Sequence, residues 1–425
     1  MKVTLNYGPE GLPLEITESP GFQGVLRPRE APAAENPEAA VLQALRKPIA
    51  AKPLADLANG RRSACVVISD ITRPVPNRII LPPLLAEIEN AGIKREAITI
   101  LIATGIHRPN EGDELIALVG AEIAEKYRII NHFSKEADDM ILVGEINDGV
   151  PALINRHYVA ADLKILTGFI EPHMWAGFSG GRKSILPGIS SLETLEYMHG
   201  PEMIAHPMTV YGALEKNPFH EAGLTIMKKA GADFMVNVTL DTGKKITRVF
   251  AGDPVKAHLE GCHFLAPFCT KELKEPLDFI VTTNSGAPLD CNLYQSVKGI
   301  TGAAPVIKAG GEILIASACS EGAGSPEYIE ILKTVDTPQN FIKRLLAREF
   351  FIPDQWCAQE TYQVMIDHPV WLYSDGLSSS EIESYHMKPV KSLEKAIAEL
   401  LNRHGHKARW AVVPDGPLLI LQLES

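Results

Sequence analysis

The chain has 425 residues, of which 45% are hydrophobic and 22% charged, and a formal net charge of −11. That length holds two domains with cores of their own, in the composition of an ordinary soluble globular protein. The negative charge argues against a nucleic-acid partner, and no apolar run reaches the length of a membrane span. Six scattered cysteines (Cys65, Cys262, Cys269, Cys291, Cys319, Cys357) include no CxxC pair, which suits reduced thiols in a cytoplasmic protein. The first residues read as a strand rather than a signal peptide.

Residues 1–16 alternate around Gly8-Pro9-Glu10-Gly11 and predict a β-hairpin. A short helix is expected near 37–46, then a strand at 63–69 and a helix at 78–91 with Pro82 and Pro83 in its first turn. A strand at 97–103, a helix at 111–119, a strand at 163–169 and a helix at 192–199 follow. Strands separated by helices imply a parallel, doubly wound sheet. A second alternating series begins near 276, with a strand at 277–283, a helix at 292–298 and a strand at 311–317. Helices at 326–335, 340–350 and 392–403 come next, and residues 410–423 read as a closing hairpin through Pro414-Asp415-Gly416-Pro417. The expected fold is α/β with two domains, each a mostly parallel sheet flanked by helices. Residues 1–268 form the N-terminal domain and 269–425 the C-terminal one, with the boundary in the run 261–275.

Three apolar strands of the first half each end in a polar cluster: Asp70-Ile71-Thr72-Arg73-Pro74, Thr104-Gly105-Ile106-His107-Arg108-Pro109 and Glu171-Pro172-His173. In a parallel sheet all three emerge at one edge, where open α/β sheets bind ligands. Each has a plain structural reading. Asp70 and Thr72 suit turn caps, and a single loop histidine is more often simply exposed. Two histidines beside proline-fixed turns favour function, because a neutral imidazole can take a proton from a hydroxyl and return it.

After the third cluster runs Gly177-Phe178-Ser179-Gly180-Gly181-Arg182-Lys183-Ser184, a near match to the phosphate-binding loop GxxxxGK[ST]. Arg182 stands where the second glycine belongs and hinders the backbone wrap around a phosphate. An ATPase or kinase reading is therefore weak, and Lys183 needs another task. In the second half Tyr294 and Lys298 share a helix face at i and i+4. An Arg73 fork and the Lys298 ammonium together suit a carboxylate. His199 falls at a helix end, where a histidine is often only dipole-stabilised. Trp356 reads first as a core residue.

Together these clusters resemble the signatures of the nickel-pincer-nucleotide lactate racemase family. The match runs from Asp70-x-Thr72-Arg73-Pro74 through Thr104-Gly105-x-His107-Arg108-Pro109 to Glu171-Pro172-His173 and Gly180-Gly181-x-Lys183-Ser184-x-x-Pro187-Gly188. It continues with His199 and Tyr294-Gln295-x-x-Lys298. The resemblance implies an isomerase that racemises or epimerises 2-hydroxy acids, lactate by default. The implied route is proton-coupled hydride transfer through a 2-oxo acid. It implies a cofactor, a pyridinium-3-thioamide-5-thiocarboxylate mononucleotide with nickel, linked to Lys183. Cofactor-biosynthesis proteins are then maturation partners. By the same resemblance His107 and His173 are the catalytic bases and His199 the nickel ligand. Asp70, Gly180, Gly181 and Ser184 lie against the cofactor, and Arg73, Tyr294, Gln295, Lys298 and Trp356 contact the substrate. The alternative is a non-catalytic nucleotide- or anion-binding protein of the same fold.

Overall fold

The computed structural model describes residues 1–146 and 149–424. Two six-stranded sheets flanked by helices make up most of it. In the first, the order is Ile246–Gly252, Phe234–Leu240, Leu163–Phe169, Ala64–Ser69, Ile98–Ala103, Arg128–Asn131. Neighbours run parallel except the edge pair Phe234–Leu240 and Ile246–Gly252, which is antiparallel. The central strands are continuous apolar runs because helices cover both faces, so alternation has no advantage there. The second sheet is wholly parallel. Its order is Lys388–Val390, Val370–Tyr373, Ile307–Ala316, Leu277–Thr283, Trp410–Val413, Phe22–Val25. No helix among the described residues is long and apolar enough to cross a membrane.

The N-terminal hairpin forms as expected, pairing Lys2–Leu5 with Leu12–Glu15. In sequence it belongs to the first half, but in space the hairpin packs on the second sheet and the strand after it joins that sheet. Val3, Leu5, Tyr7, Leu14 and Ile16 share a core with Phe279, Trp371 and Trp410. The strand Phe22–Val25 lies at the edge beside Trp410–Val413. There Phe22 packs on Trp410 with ring centroids 4.5 Å apart, and Trp410 Nε1 donates to Ser19 Oγ at 2.9 Å.

Two local expectations are corrected. Residues 410–423 do not form a hairpin. Trp410–Val413 is an inner parallel strand, and Ile420–Leu423 pairs in parallel with Thr270–Leu273. Asp415 accepts hydrogen bonds from Asn6 and Arg27, and this redirects the chain where Pro-Asp-Gly-Pro suggested a reversal. Pro82 and Pro83 lie inside the helix Asn77–Asn90, not in its first turn. Prolines there remove two helix donors. The buried stripe of Ile80, Leu81, Leu84, Leu85 and Ile88 holds the helix through that defect.

The hairpin's place on the second sheet gives a stability prediction. Deleting residues 1–16 removes five buried apolar side chains from that core. At ~1.5–3 kcal/mol for each fully buried side chain, the loss is on the order of a whole domain's stability. The truncated chain is expected to lose its cooperative unfolding transition by circular dichroism. A melting temperature equal to that of the intact chain would show that the hairpin is dispensable.

Candidate active site

The ends of the strands Leu163–Phe169, Ala64–Ser69 and Ile98–Ala103, which are neighbours in one parallel sheet, open on a common cleft. Facing them is the helix Leu293–Ala303, which follows the strand Leu277–Thr283 of the second sheet. Asn292 caps that helix by accepting from the Gln295 amide at 3.0 Å. The cleft has a volume of about 310 Å³. It brings together Asp70, Arg73, His107, His173, Gly180, Lys183, Ser184, His199, Tyr294, Gln295, Lys298 and Trp356.

Gly181 does not line the cleft. It sits at φ +54°, and a Cβ there would come 2.8 Å from the ring of His258. Its role is packing. Gly180 lines the cleft at φ +78°, where a Cβ would meet Asn237 Oδ1 at 2.5 Å and the Phe169 carbonyl at 2.9 Å. Asn237 itself accepts from the Gly181 amide at 2.8 Å, pinning the loop to the first sheet. The sequence reading missed Asn237, although a lone amide within the apolar run Phe234–Leu240 is a visible signal.

Arg182 explains why the loop departs from the phosphate-binding pattern. Only 1% exposed, its guanidinium donates to the carbonyls of Ala176 at 2.6 Å, Phe178 at 3.1 Å and Gly180 at 3.4 Å. It staples the loop from behind. Ser184 spends its hydroxyl on the Thr167 carbonyl at 3.1 Å. Lys183 is left as the loop's cationic group in the cleft.

The two central histidines differ in surroundings. His107 Nδ1 lies 2.7 Å from Asp70 Oδ2, and Thr72 donates to Asp70 Oδ1 at 2.7 Å. Burial pushes the Asp70 carboxyl up, but its bonds to His107 and Thr72 and the charge of Arg73 win, holding it below its ordinary value. An ionised Asp70 accepts a hydrogen bond from His107 Nδ1, so Nδ1 carries a proton and Nε2 is the nitrogen that faces the cleft as a base. His173 Nδ1 instead accepts from the backbone amides of Trp175 at 3.2 Å and Ala176 at 3.3 Å. Its proton therefore sits on Nε2. Burial, with Lys183, Lys298 and Arg73 nearby, holds His173 well below its ordinary pKa, so it stays neutral.

His199 Nδ1 donates to the Leu195 carbonyl at 2.8 Å. That bond leaves Nε2 unprotonated, the form that ligates a metal. Burial pushes its pKa down to about 4, against the opposing effect of the Leu195 bond.

Lys183 and Lys298 keep some surface open to the cleft, yet the surrounding protein strips most of their hydration. Burial, then the charges of Arg182, Arg73 and Lys298, brings Lys183 down to about 7. Burial and Arg73 bring Lys298 down to about 8, and its Nζ donates to Gln295 Oε1 at 2.7 Å. Among the described residues, no carboxylate pairs with Arg73, Lys183 or Lys298 in an ion pair. Glu171, a further cleft residue, is influenced by all three at longer range while burial raises its pKa. The site is built for an anion.

Known proteins match this chain in sequence and fold. The lactate racemase N-terminal domain family matches residues 7–212 and the lactate racemase C-terminal domain family residues 273–421. The lactate racemase of Thermoanaerobacterium thermosaccharolyticum is 39% identical over 424 residues, covering 99% of each chain. That of Lactiplantibacillus plantarum is 38% identical over 382 residues, covering 88% of this chain and 89% of its own. The solved apoprotein of the T. thermosaccharolyticum lactate racemase superposes with a TM-score of 0.93 at 38% identity, over 99% of this chain and 100% of its own. A Thermotoga maritima protein at 18% identity, with a TM-score of 0.70 over 92% of this chain and 99% of its own, shares the fold. With both family domains matched in order and relatives this similar along nearly its whole length, the chain belongs to the lactate racemase family.

Proposed function

We propose that this protein racemises 2-hydroxy acids, with lactate as the default substrate, using a nickel-pincer nucleotide joined to Lys183. The observation that carries the reading is the meeting of two differently hydrogen-bonded histidines with unpaired cations in one cleft. His107 presents a basic Nε2 backed by Asp70, and His173 presents a protonated Nε2. Arg73 and Lys298 supply the charge for a carboxylate.

The residues fit the cofactor. A lysine whose amine is about half neutral near pH 7 is suited to acylation. His199 offers one unprotonated nitrogen. Among the described residues, no cluster of three or more His, Cys, Asp or Glu is placed to hold a metal, so a metal here draws most of its donors from the cofactor itself. When bound, the nucleotide supplies the acceptor and donor for the α-hydrogen, carried as hydride, with a 2-oxo acid between the enantiomers.

The chain's own residues do the rest. Arg73 and Lys298 hold the carboxylate and so fix the α-carbon. His107 Nε2 takes the hydroxyl proton, and Asp70 stabilises the imidazolium formed. His173 Nε2–H hydrogen-bonds the substrate oxygen when it lies on the other side, and the proton held by His107 returns to that oxygen as the hydroxyl re-forms. Trp356 and Met174 narrow the cleft and keep water out.

The direct test is co-expression with the proteins that make the cofactor, followed by intact mass, nickel analysis and a chiral lactate assay. An adduct at Lys183, close to one nickel per chain and interconversion of D- and L-lactate are expected. An unmodified lysine without nickel after competent co-expression would return the protein to simple anion binding. On the unmodified protein, labelling by an amine-acylating reagent is expected to half-saturate at Lys183 near pH 7. A surface lysine labels that readily only above about pH 10. A Lys183 midpoint there would remove the pre-activated amine. Asp70→Asn is expected to lower kcat by roughly 10²–10⁴-fold, as the loss of a tautomer-fixing carboxylate does, with nickel content unchanged. An undiminished kcat would leave Asp70 without this role.

A further inference from the structure

The helix Gln355–Asp367 belongs to the second half of the chain, yet it grips the first half's site loops at three points. Trp356 packs on His199 with ring centroids 5.2 Å apart, and Gln359 Nε2 donates to the Pro201 carbonyl at 2.8 Å. The third point is Glu360. Its Oε1 accepts from Trp175 Nε1 at 2.6 Å, while Thr301 Oγ1 lies 3.5 Å from Oε2. Glu360 is 7% exposed, and among the described residues no cation pairs with it.

A buried carboxyl without a cation is costly to keep, and an apolar residue of similar volume often packs there at no loss of stability. Its one short contact therefore needs an explanation. Trp175 supplies it. The indole lies edge-on to His199 at 4.9 Å, 6.1 Å from the His173 ring, and stacks on Phe219 at 5.9 Å. Its backbone amide donates to His173 Nδ1. One tryptophan thus touches both the residue matched to the nickel ligand and a residue matched to a catalytic base. Its ring has two χ angles, and the bond to Glu360 fixes how it lies.

We propose that Glu360 is a positioning residue, reaching across from the second half to hold the Trp175 indole and, through it, the mutual placement of His173 and His199. This rests on the function proposed above. What matters is a hydrogen-bond acceptor at the reach of a glutamyl side chain, not a charge. Burial, partly offset by the Trp175 and Thr301 bonds, raises the Glu360 carboxyl to about 8, so it is mostly neutral at pH 7 and close to a glutamine in shape and polarity.

Two substitutions in the full-length holoenzyme separate reach from acidity. Glu360→Gln keeps the acceptor where it is; Glu360→Asp keeps the acid but draws it back by one methylene. Glu360→Gln is expected to retain most of kcat. Glu360→Asp is expected to lose roughly ten- to a hundredfold in kcat, the scale of an ångström-level misplacement, with KM unchanged because Arg73 and Lys298 are untouched. In amide and indole NMR spectra the Trp175 Nε1–H signal, assigned with Trp175→Phe, should keep its downfield position in Glu360→Gln and move upfield in Glu360→Asp. If Glu360→Asp does not fold, Trp175→Phe removes the same contact from the other side and is expected to lower kcat with KM unchanged. Equal kcat in Glu360→Asp and the parent, a Glu360→Gln as impaired as Glu360→Asp, or an unmoved indole signal would each overturn the proposal. If the parent racemises nothing, the functional reading has failed, and the indole signal still decides whether Glu360 holds Trp175.

Discussion

Three cations share one cleft with almost nothing of their own to neutralise them, and much of the structure follows from that constraint. At a separation of 4 Å, two like charges repel by about 4 kcal/mol at an effective dielectric of 20. The protein meets this cost partly by easing proton loss from its lysines: burial and then repulsion bring Lys183 to about 7 and Lys298 to about 8. Burial, with the same field behind it, keeps His173 neutral. Arg73 cannot discharge, so it remains the fixed positive charge of the site. Glu171 alone among the cleft's carboxyls is left to face the cations, since Asp70 is committed to His107. A cleft with this balance is most stable when an anion enters it.

The same field divides the two histidines. His107 stands at the more open end, 42% of its side chain exposed, with Asp70 as its carboxylate partner. His173 lies deep among them and has no carboxylate partner. Two identical side chains, each following a strand of one sheet, thus turn Nδ1 to opposite partners, a carboxylate acceptor for His107 and backbone amide donors for His173. Backbone amides do for His173 what a carboxylate does for His107, which is to choose the tautomer. The choice also avoids placing a second carboxylate where it would quench the charge meant for the substrate.

Much of this was legible in the sequence, because strand ends are local. Runs such as Cys65-Val66-Val67-Ile68 and Ile100-Leu101-Ile102 announce buried parallel strands, and the polar residues just after them fall at one edge by topology alone. What stayed hidden depends on distant pairing. The edge strand Phe22–Val25 finds its place through Trp410, and Trp175 meets Glu360 from 185 positions away. No local pattern encodes such partners. Pro414-Asp415-Gly416-Pro417 misled because its turn chemistry is real, but Asn6 and Arg27, from the other end of the chain, decide where the turn points. Gly181 shows a second hidden dependence: a glycine inside the right motif that the ring of His258 requires.

Arg182 shows how a small change turns a familiar loop to another use. A phosphate loop aims its amides inward and needs glycines so that nothing intervenes. Here the arginine side chain fills the space behind the loop and gathers its carbonyls. The guanidinium also adds a buried positive charge next to Lys183, the largest charge effect on that amine after burial itself. One residue therefore fixes the loop and helps to bring the neighbouring lysine down to about 7, where about half of its amine is neutral. A charged lysine would suit a phosphate by simple attraction. A neutral one is a nucleophile, which is the property a loop with this arginine adds to its lysine.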